Sequence, residues 1–117
     1  MKGLSLESYE VEGDAAYRGN RMGEARDKLL EAIEEVLNFS DVVLNFLEIN
    51  TEFRRKSILE DPGVFCRELE DLFGAGAYGI ERLIVERFYS KMNLKYVKDR
   101  KKTFEDYISE AVKLYLD

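Results

Sequence analysis

Three observations on the sequence predict an all-α fold, a single-domain array of five or six helices over residues 1–117. Apolar residues recur at threes and fours along most of the chain, most regularly at Met22, Ala25, Leu29, Ala32, Ile33 and Val36. Helix start and stop residues punctuate the sequence at helix-length intervals, and the single proline, Pro62, stands at one of the starts. The length of 117 residues and the 45% hydrophobic content suffice for one core without disulfides or a structural metal.

Taken in order, Ser5 is the cap of a first helix over residues 5–18. Gly19-Asn20 then supplies a C-terminal glycine and a new N-cap, so a second helix is expected over 21–38. The run E-G-D-A-A-Y-R-G-N-R-M-G-E-A-R-D-K-L-L-E-A-I-E looks like one tetratricopeptide hairpin, with Gly13, Tyr17, Ala25, Leu29 and Ala32 at the signature small and large positions. No second copy follows, and such repeats cannot bury their faces alone, so the run reads as generic helix-hairpin packing. Ser40-Asp41 caps a short apolar helix, D-V-V-L-N-F-L-E-I. The following N-T-E-F-R-R-K-S-I-L-E has weak periodicity and reads as a connection with a helical turn.

Asp61-Pro62 opens a helix whose expected buried stripe is Phe65, Leu69, Leu72 and Phe73, ending at Gly74. The next helix, residues 75–92, has apolar positions on two stripes: Ala77, Ile80, Leu83, Ile84 and Phe88, and beside them Val85, Tyr89 and Met92. An amphipathic surface helix buries one stripe somewhat wider than 100°. This one is therefore expected to be central in the array and also to meet a second subunit through Val85, Tyr89 and Met92. The last helix, residues 103–116, opens on a capping-box pattern, Thr103 to Asp106, and carries Phe104, Tyr107, Ile108, Ala111, Leu114 and Tyr115 on one face. It is expected to dock on its own chain rather than swap to another.

The stretch D-L-F-G-A-G-A-Y-G-I-E-R contains G-x-G-x-x-G in Gly74, Gly76 and Gly79. A dinucleotide fingerprint needs those glycines to follow a buried strand and to precede an acidic residue about twenty positions on, at the end of the next strand. Here a helix precedes them, and the downstream segment K-M-N-L-K-Y-V-K offers only Asp99. The glycines read instead as structural: Gly74 a left-handed C-cap, Gly76 the start of the next helix, and Gly79 part of a side-chain-free surface at a sharp helix-helix corner on which another helix sits close.

Composition narrows the chemistry. Histidine is absent, which removes Ser-His and Cys-His nucleophile pairs, histidine bases and the usual mixed zinc sites. Cys66 is the one cysteine, so no internal disulfide forms, and its place in V-F-C-R-E-L suits a small packed hydrophobe. The net charge of -6 opposes general nucleic-acid binding, which needs a positive field. The charge is uneven: residues 1–81 carry 18 acids and 9 bases, residues 82–117 carry 6 acids and 9 bases. Lys98, Arg100, Lys101 and Lys102 form a candidate basic contact patch in that tail, read first as a solvated loop or as a basic complement to the acidic half, folded back or on a partner. The chain opens without an apolar leader and has no membrane-length apolar window, which gives the expectation of a cytoplasmic protein that does not engage a membrane.

The remaining catalytic reading uses carboxylates. Glu31 and Glu34 on one helix, and Glu68 and Asp71 on another, each place two acids on one face, and two such pairs facing each other would hold Mg2+. This is similar to the all-helical nucleoside-triphosphate pyrophosphohydrolases, with the departure that Asn38 stands where a further acid is expected and no phosphate-binding Lys or Arg pattern accompanies it.

The pattern D-P-x-x-F-x-x-x-L-x-x-L-F-G-x-G-A-x-x-I-E, carried by Asp61, Pro62, Phe65, Leu69, Leu72, Phe73, Gly74, Gly76, Ala77, Ile80 and Glu81 and followed by an apolar Ile84 or Val85, resembles small all-helical archaeal proteins of unknown function. Similar segments occur as output domains attached to signalling receivers in ammonia-oxidising archaea. The resemblance covers about residues 42–94. It implies a signalling role and transfers no catalytic residue. The expectation is thus a homodimeric, non-enzymatic protein-interaction or signalling-output module without catalytic residues or cofactor. Its structural and interface positions are Gly74, Gly76, Gly79, Val85, Tyr89 and Met92. The alternative is the Mg2+-dependent pyrophosphohydrolase.

Overall fold

The computed structural model describes the backbone of residues 2–117 and the side chains of residues 19–117. The described residues are all helical, with no strand. Helix α1 spans Lys2–Val36, α2 Ser40–Asn50, α3 Pro62–Phe73, α4 Ala77–Lys91 and α5 Phe104–Leu116. Short 3-10 turns occupy Arg55–Ser57 and Gly74–Gly76. No helix among the described residues is long and apolar enough to cross a membrane.

The expected break at Gly19-Asn20 is not made: α1 runs through it as one helix. Gly in a helix interior costs about 1 kcal/mol against Ala, and the good helix formers Arg21, Met22, Glu24 and Ala25 that follow offset it. A glycine permits a break without enforcing one. The tetratricopeptide-like hairpin is therefore absent. Ser5, expected to cap a first helix, lies inside α1, which begins at Lys2; its side chain and that of Tyr17 lie outside the described residues. The inner face of α1 is as the periodicity implies, with Ala25, Leu29, Ala32 and Ile33 fully buried.

The chain turns from α1 into α2 at Phe39, a bulky residue at φ 61. On α2, Leu44 and Leu47 face inward. Thr51 ends it, its hydroxyl and its backbone N–H both donating to the Leu47 carbonyl at 2.6 and 2.9 Å. The connection that follows holds the anticipated helical turn and also two core residues that weak periodicity hides, Phe53 and Ile58. Arg55 ties it back to α2 through Glu48 at 2.5 Å and Asn45 at 2.9 Å.

Pro62 opens α3 as its first residue, and Phe65 and Leu69 enter the core. Leu72 and Phe73, expected in the same stripe, are exposed. Gly74 has the positive φ expected of it, 58, but with ψ -135, a glycine region outside the left-handed helical basin. It lets α3 turn directly through Gly74–Gly76 into α4.

Helix α4 is central, packed against α1, α3 and α5. Its inward residues are Ala77, Glu81, Ile84, Val85, Phe88 and Tyr89, with Met92 just beyond its end. Two expectations are corrected. Val85, Tyr89 and Met92 are buried within the chain, at 2%, 3% and 4% exposure, so they are core and present nothing to a second subunit. Leu83 instead is exposed. The close helix approach over Gly76 and Gly79 does not occur either: a Cβ at either position meets nothing within 4 Å. Small residues make an approach feasible, and Ala77 alone among them faces a neighbour. Gly79→Ala should accordingly raise stability by ~0.5 to 1 kcal/mol through helix propensity. Urea unfolding would read the change, and a loss would show that Gly79 is packed after all.

Asn93, at φ 58, closes α4, with the Leu94 N–H donating to the Tyr89 carbonyl at 2.9 Å. A loop then leads to α5, whose capping box forms as the sequence predicts: Thr103 Oγ1 accepts from the Asp106 N–H, and the Asp106 carboxylate accepts from the Thr103 N–H at 2.9 Å. Helix α5 packs on α1, α3 and α4 of its own chain. Its stripe is buried at Phe104, Tyr107, Ile108 and Ala111, while Leu114 is exposed. Arg21 lies over the Tyr115 ring at 3.8 Å, which fastens the end of α5 to α1. The basic tail complements the acidic half as expected: Arg87 and Lys91 of α4 both pair with Glu35 of α1.

Candidate functional site

Helices α3 and α4, the loop after α4 and the start of α5 enclose a cleft of about 540 Å³. Its floor is set by register. Cys66 and Glu70 are four apart on α3 and so share a face, and the tight Gly74–Gly76 turn brings Glu81 of α4 alongside them. The thiol of Cys66 donates to Glu70 Oε2 at 2.9 Å. One donor atom from each of the three residues lies within 4.8 Å of the others, the only such trio of metal-ligating side chains among the described residues.

Glu81 is the one buried charged residue among those described, 8% exposed, and its Oε2 has no hydrogen-bond partner. Burial pushes its carboxyl above the ordinary range; a hydrogen bond with Cys66 opposes the rise, and the charge of Glu70 and a hydrogen bond shared with it add to the rise. Burial likewise drives the Cys66 thiol far upward, reinforced by Glu70 and Glu81. A thiol held protonated in this way is no nucleophile at neutral pH, since the thiolate is the reactive form.

The walls are aromatic and basic. Tyr78, Tyr96, Phe104 and Tyr107 supply ring surface, and Arg67, Arg82, Lys98, Arg100 and Lys102 supply positive charge. Tyr107 fixes the loop: its hydroxyl donates to the Asp99 carbonyl at 2.9 Å and accepts from the Asp99 N–H at 2.7 Å. Tyr89 donates to the Tyr107 carbonyl at 2.8 Å, and burial pushes the Tyr89 phenol up to about 12. Opposite them, the Glu105 carboxylate lies directly over Gly63, so that a side chain there would have to displace the end of the Glu105 side chain.

The candidate basic contact patch is thus largely cleft wall. Lys98, Arg100 and Lys102 line the cleft, Lys102 is also paired with Glu110, and Lys101 stands exposed outside it. The four carboxylates of the Mg2+ reading do not converge. Glu31 pairs with Lys91 at 3.5 Å, Glu34 and Asp71 are exposed, and Glu68 joins no metal-ligating trio. That reading loses its ligand set. The sequence signal for the Cys66, Glu70 and Glu81 cluster is C-x3-E on one helix with a glutamate in the first turns of the next. A search that pairs acids only with acids passes over it. A second depression, about 610 Å³, lies between α1 and the connection after α2, and no metal-ligating trio lines it among the described residues. Comparison with protein-family models, curated proteins and solved structures finds no match.

Proposed function

We propose that the chain is a non-enzymatic interaction module that works as a homodimer through the outer face of α2. The observation that carries this reading is an apolar stripe left uncovered: Phe39 is 80% exposed, Val42 66%, Phe46 47% and Ile49 81%. Their spacing of three, four and three is that of a narrow helix-helix seam. Because Leu44 and Leu47 already fill the inner face, α2 is apolar on both sides. A contiguous exposed apolar patch of this kind marks an interaction site.

Two features favour a second copy as the occupant. An antiparallel pair of α2 helices about a two-fold axis sets Phe39 against Ile49 and Val42 against Phe46, so the stripe is self-complementary. The acids on its flanks are already engaged, Glu48 by Arg55 at 2.5 Å and Asp41 by the same guanidinium at 4.0 Å, which limits like-charge repulsion. Phe39 adds a further argument. A bulky residue in the left-handed region costs about 1 to 2 kcal/mol relative to ordinary backbone. An exposed phenylalanine held there gives the fold nothing in return, whereas a seam residue does. We further place the module in signalling on the resemblance of the Asp61–Glu81 motif alone.

Four side chains a subunit make an interface below the standard ~800 Å² per partner, so the dimer is expected to be reversible in the micromolar range. Light scattering on a sizing column should show a concentration-dependent dimer, reduced to monomer by Phe46→Glu with Ile49→Glu. Phe39→Asn should weaken association without lowering the melting temperature. A wild type that stays monomeric at the highest concentration reached, or a double variant that still dimerises, would overturn the reading.

A further inference from the structure

We propose that Cys66, Glu70 and Glu81 form a binding site for a divalent cation of borderline softness, best suited to Zn2+, with an open coordination position facing the cleft. The donor set is one sulfur and two carboxylate groups from two helices joined by a tight turn, with donor atoms within 4.8 Å of one another. Tetrahedral zinc, with Zn–S about 2.3 Å and Zn–O about 2.0–2.2 Å, needs donors about 3.3–3.7 Å apart. Rotation about the long glutamate side chains covers that difference without moving a helix.

The second observation is independent of the clustering. Glu81 Oε2 is buried and makes no hydrogen bond, in a residue 8% exposed that lines the cleft. Buried polar oxygens without partners are rare and costly. No Lys or Arg among the described residues forms an ion pair with Glu70 or Glu81, although five line the same cleft. Such an oxygen, beside a second carboxylate and a thiol, is completed by a cation, either a metal ion or a proton shared with Glu70, and the titration below distinguishes the two.

The donors also select the metal. Calcium takes six to eight oxygens and magnesium an octahedron of them, whereas a sulfur ligand and a low ligand number favour Zn2+ or Co2+. On binding, the metal replaces the thiol proton, which leaves to the buffer, and the Cys66 sulfur becomes a thiolate ligand. Three protein ligands leave a fourth position open. The three ligands line a cleft walled by Arg67, Arg82, Lys98 and Arg100, so water or an anionic group there would complete the sphere.

The test is a Co2+ titration of the reduced full-length chain, followed by Zn2+ competition. The expected result is saturable absorption at one ion per chain with a sulfur-to-cobalt charge-transfer band, displaced by Zn2+. Cys66→Ser should lose that band, and Glu81→Gln should weaken binding at least ~10-fold, a lower bound taken from the effect of removing outer-shell partners. Zn2+ should raise the melting temperature of the wild type and not of these variants. Circular dichroism establishes that each is folded, and Glu70→Gln serves in place of any that is not. No saturable binding, a band unchanged in Cys66→Ser, or an equal thermal shift with Mg2+ would overturn the proposal.

Discussion

Phe65→Ala should cost ~3 to 5 kcal/mol, a large part of the ~5 to 15 kcal/mol that holds a domain of this kind together. Phe65 is fully buried, and its ring lies 5.6 Å from that of Phe53 and 6.0 Å from that of Phe104. These three rings come from the connection after α2, from α3 that follows it, and from the first turn of α5, distant from both in the chain. Alanine therefore removes the part that joins them and leaves a cavity that three separately anchored segments cannot close together. Urea unfolding followed by circular dichroism reads the loss directly. Phe46→Ala is the control, since Phe46 is half exposed and the monomer should lose no more than ~1 kcal/mol. A loss below ~1 kcal/mol for Phe65→Ala would mean that the aromatic junction does not carry the fold.

That junction also marks where the sequence is readable and where it is not. Periodicity identifies α2, α3, α4 and α5 to within a few residues, because each has a face repeating at threes and fours and a start or stop residue with a mechanism. Thr103 and Asp106 are the clearest case: the capping box needs only local chain geometry, so it reads directly from spacing. Phe53 and Ile58 are invisible to the same method, since their burial depends on what folds over an irregular segment. Gly19 and Gly79 fail for a related reason. Glycine is compatible with a cap, with a close contact or with plain solvated helix, and only tertiary structure chooses among these. The double apolar stripe of α4 rightly implies a central helix. It leaves open whether the second stripe meets α5 or another chain, and the structure assigns it to α5 and the loop before it.

The cleft was less legible than the fold. Its chemistry is assembled from α3, α4 and a loop, and the sequence separation of Cys66 and Glu81 carries no signature. Lone cysteines and single glutamates on amphipathic helices are ordinary. What distinguishes these is a buried oxygen without a partner, which is a property of packing. The basic excess of residues 82–117 is visible in the sequence, but its use is not. Part of it pairs with α1, part with Glu110, and part walls the cleft, because the loop after α4 folds back over α3 instead of standing away from the domain.

The fixed position of that loop rests on Tyr107, and replacing it separates two contributions. Tyr107→Ala should cost about 3 kcal/mol, at the lower end of the range for large aromatic truncations because the residue is 8% exposed and can be partly rehydrated. It loses ring contacts to Tyr89 at 6.2 Å and Tyr96 at 5.4 Å, together with both hydrogen bonds to Asp99. Tyr107→Phe keeps the rings and loses only the hydroxyl, for ~1 kcal/mol, since Asp99 is half-buried and water can take over its backbone groups. The two variants should therefore differ in stability but agree in one respect: both release the loop. Hydrogen exchange should show the Asp99 amide, now bonded to the Tyr107 hydroxyl, becoming fast in Tyr107→Phe while the amides of α4 and α5 stay protected. If the Asp99 amide stays slow in Tyr107→Phe, then ring packing rather than the hydroxyl holds the loop. In that case the cleft wall formed by Lys98 and Arg100 is set by the Tyr89, Tyr96 and Tyr107 cluster alone.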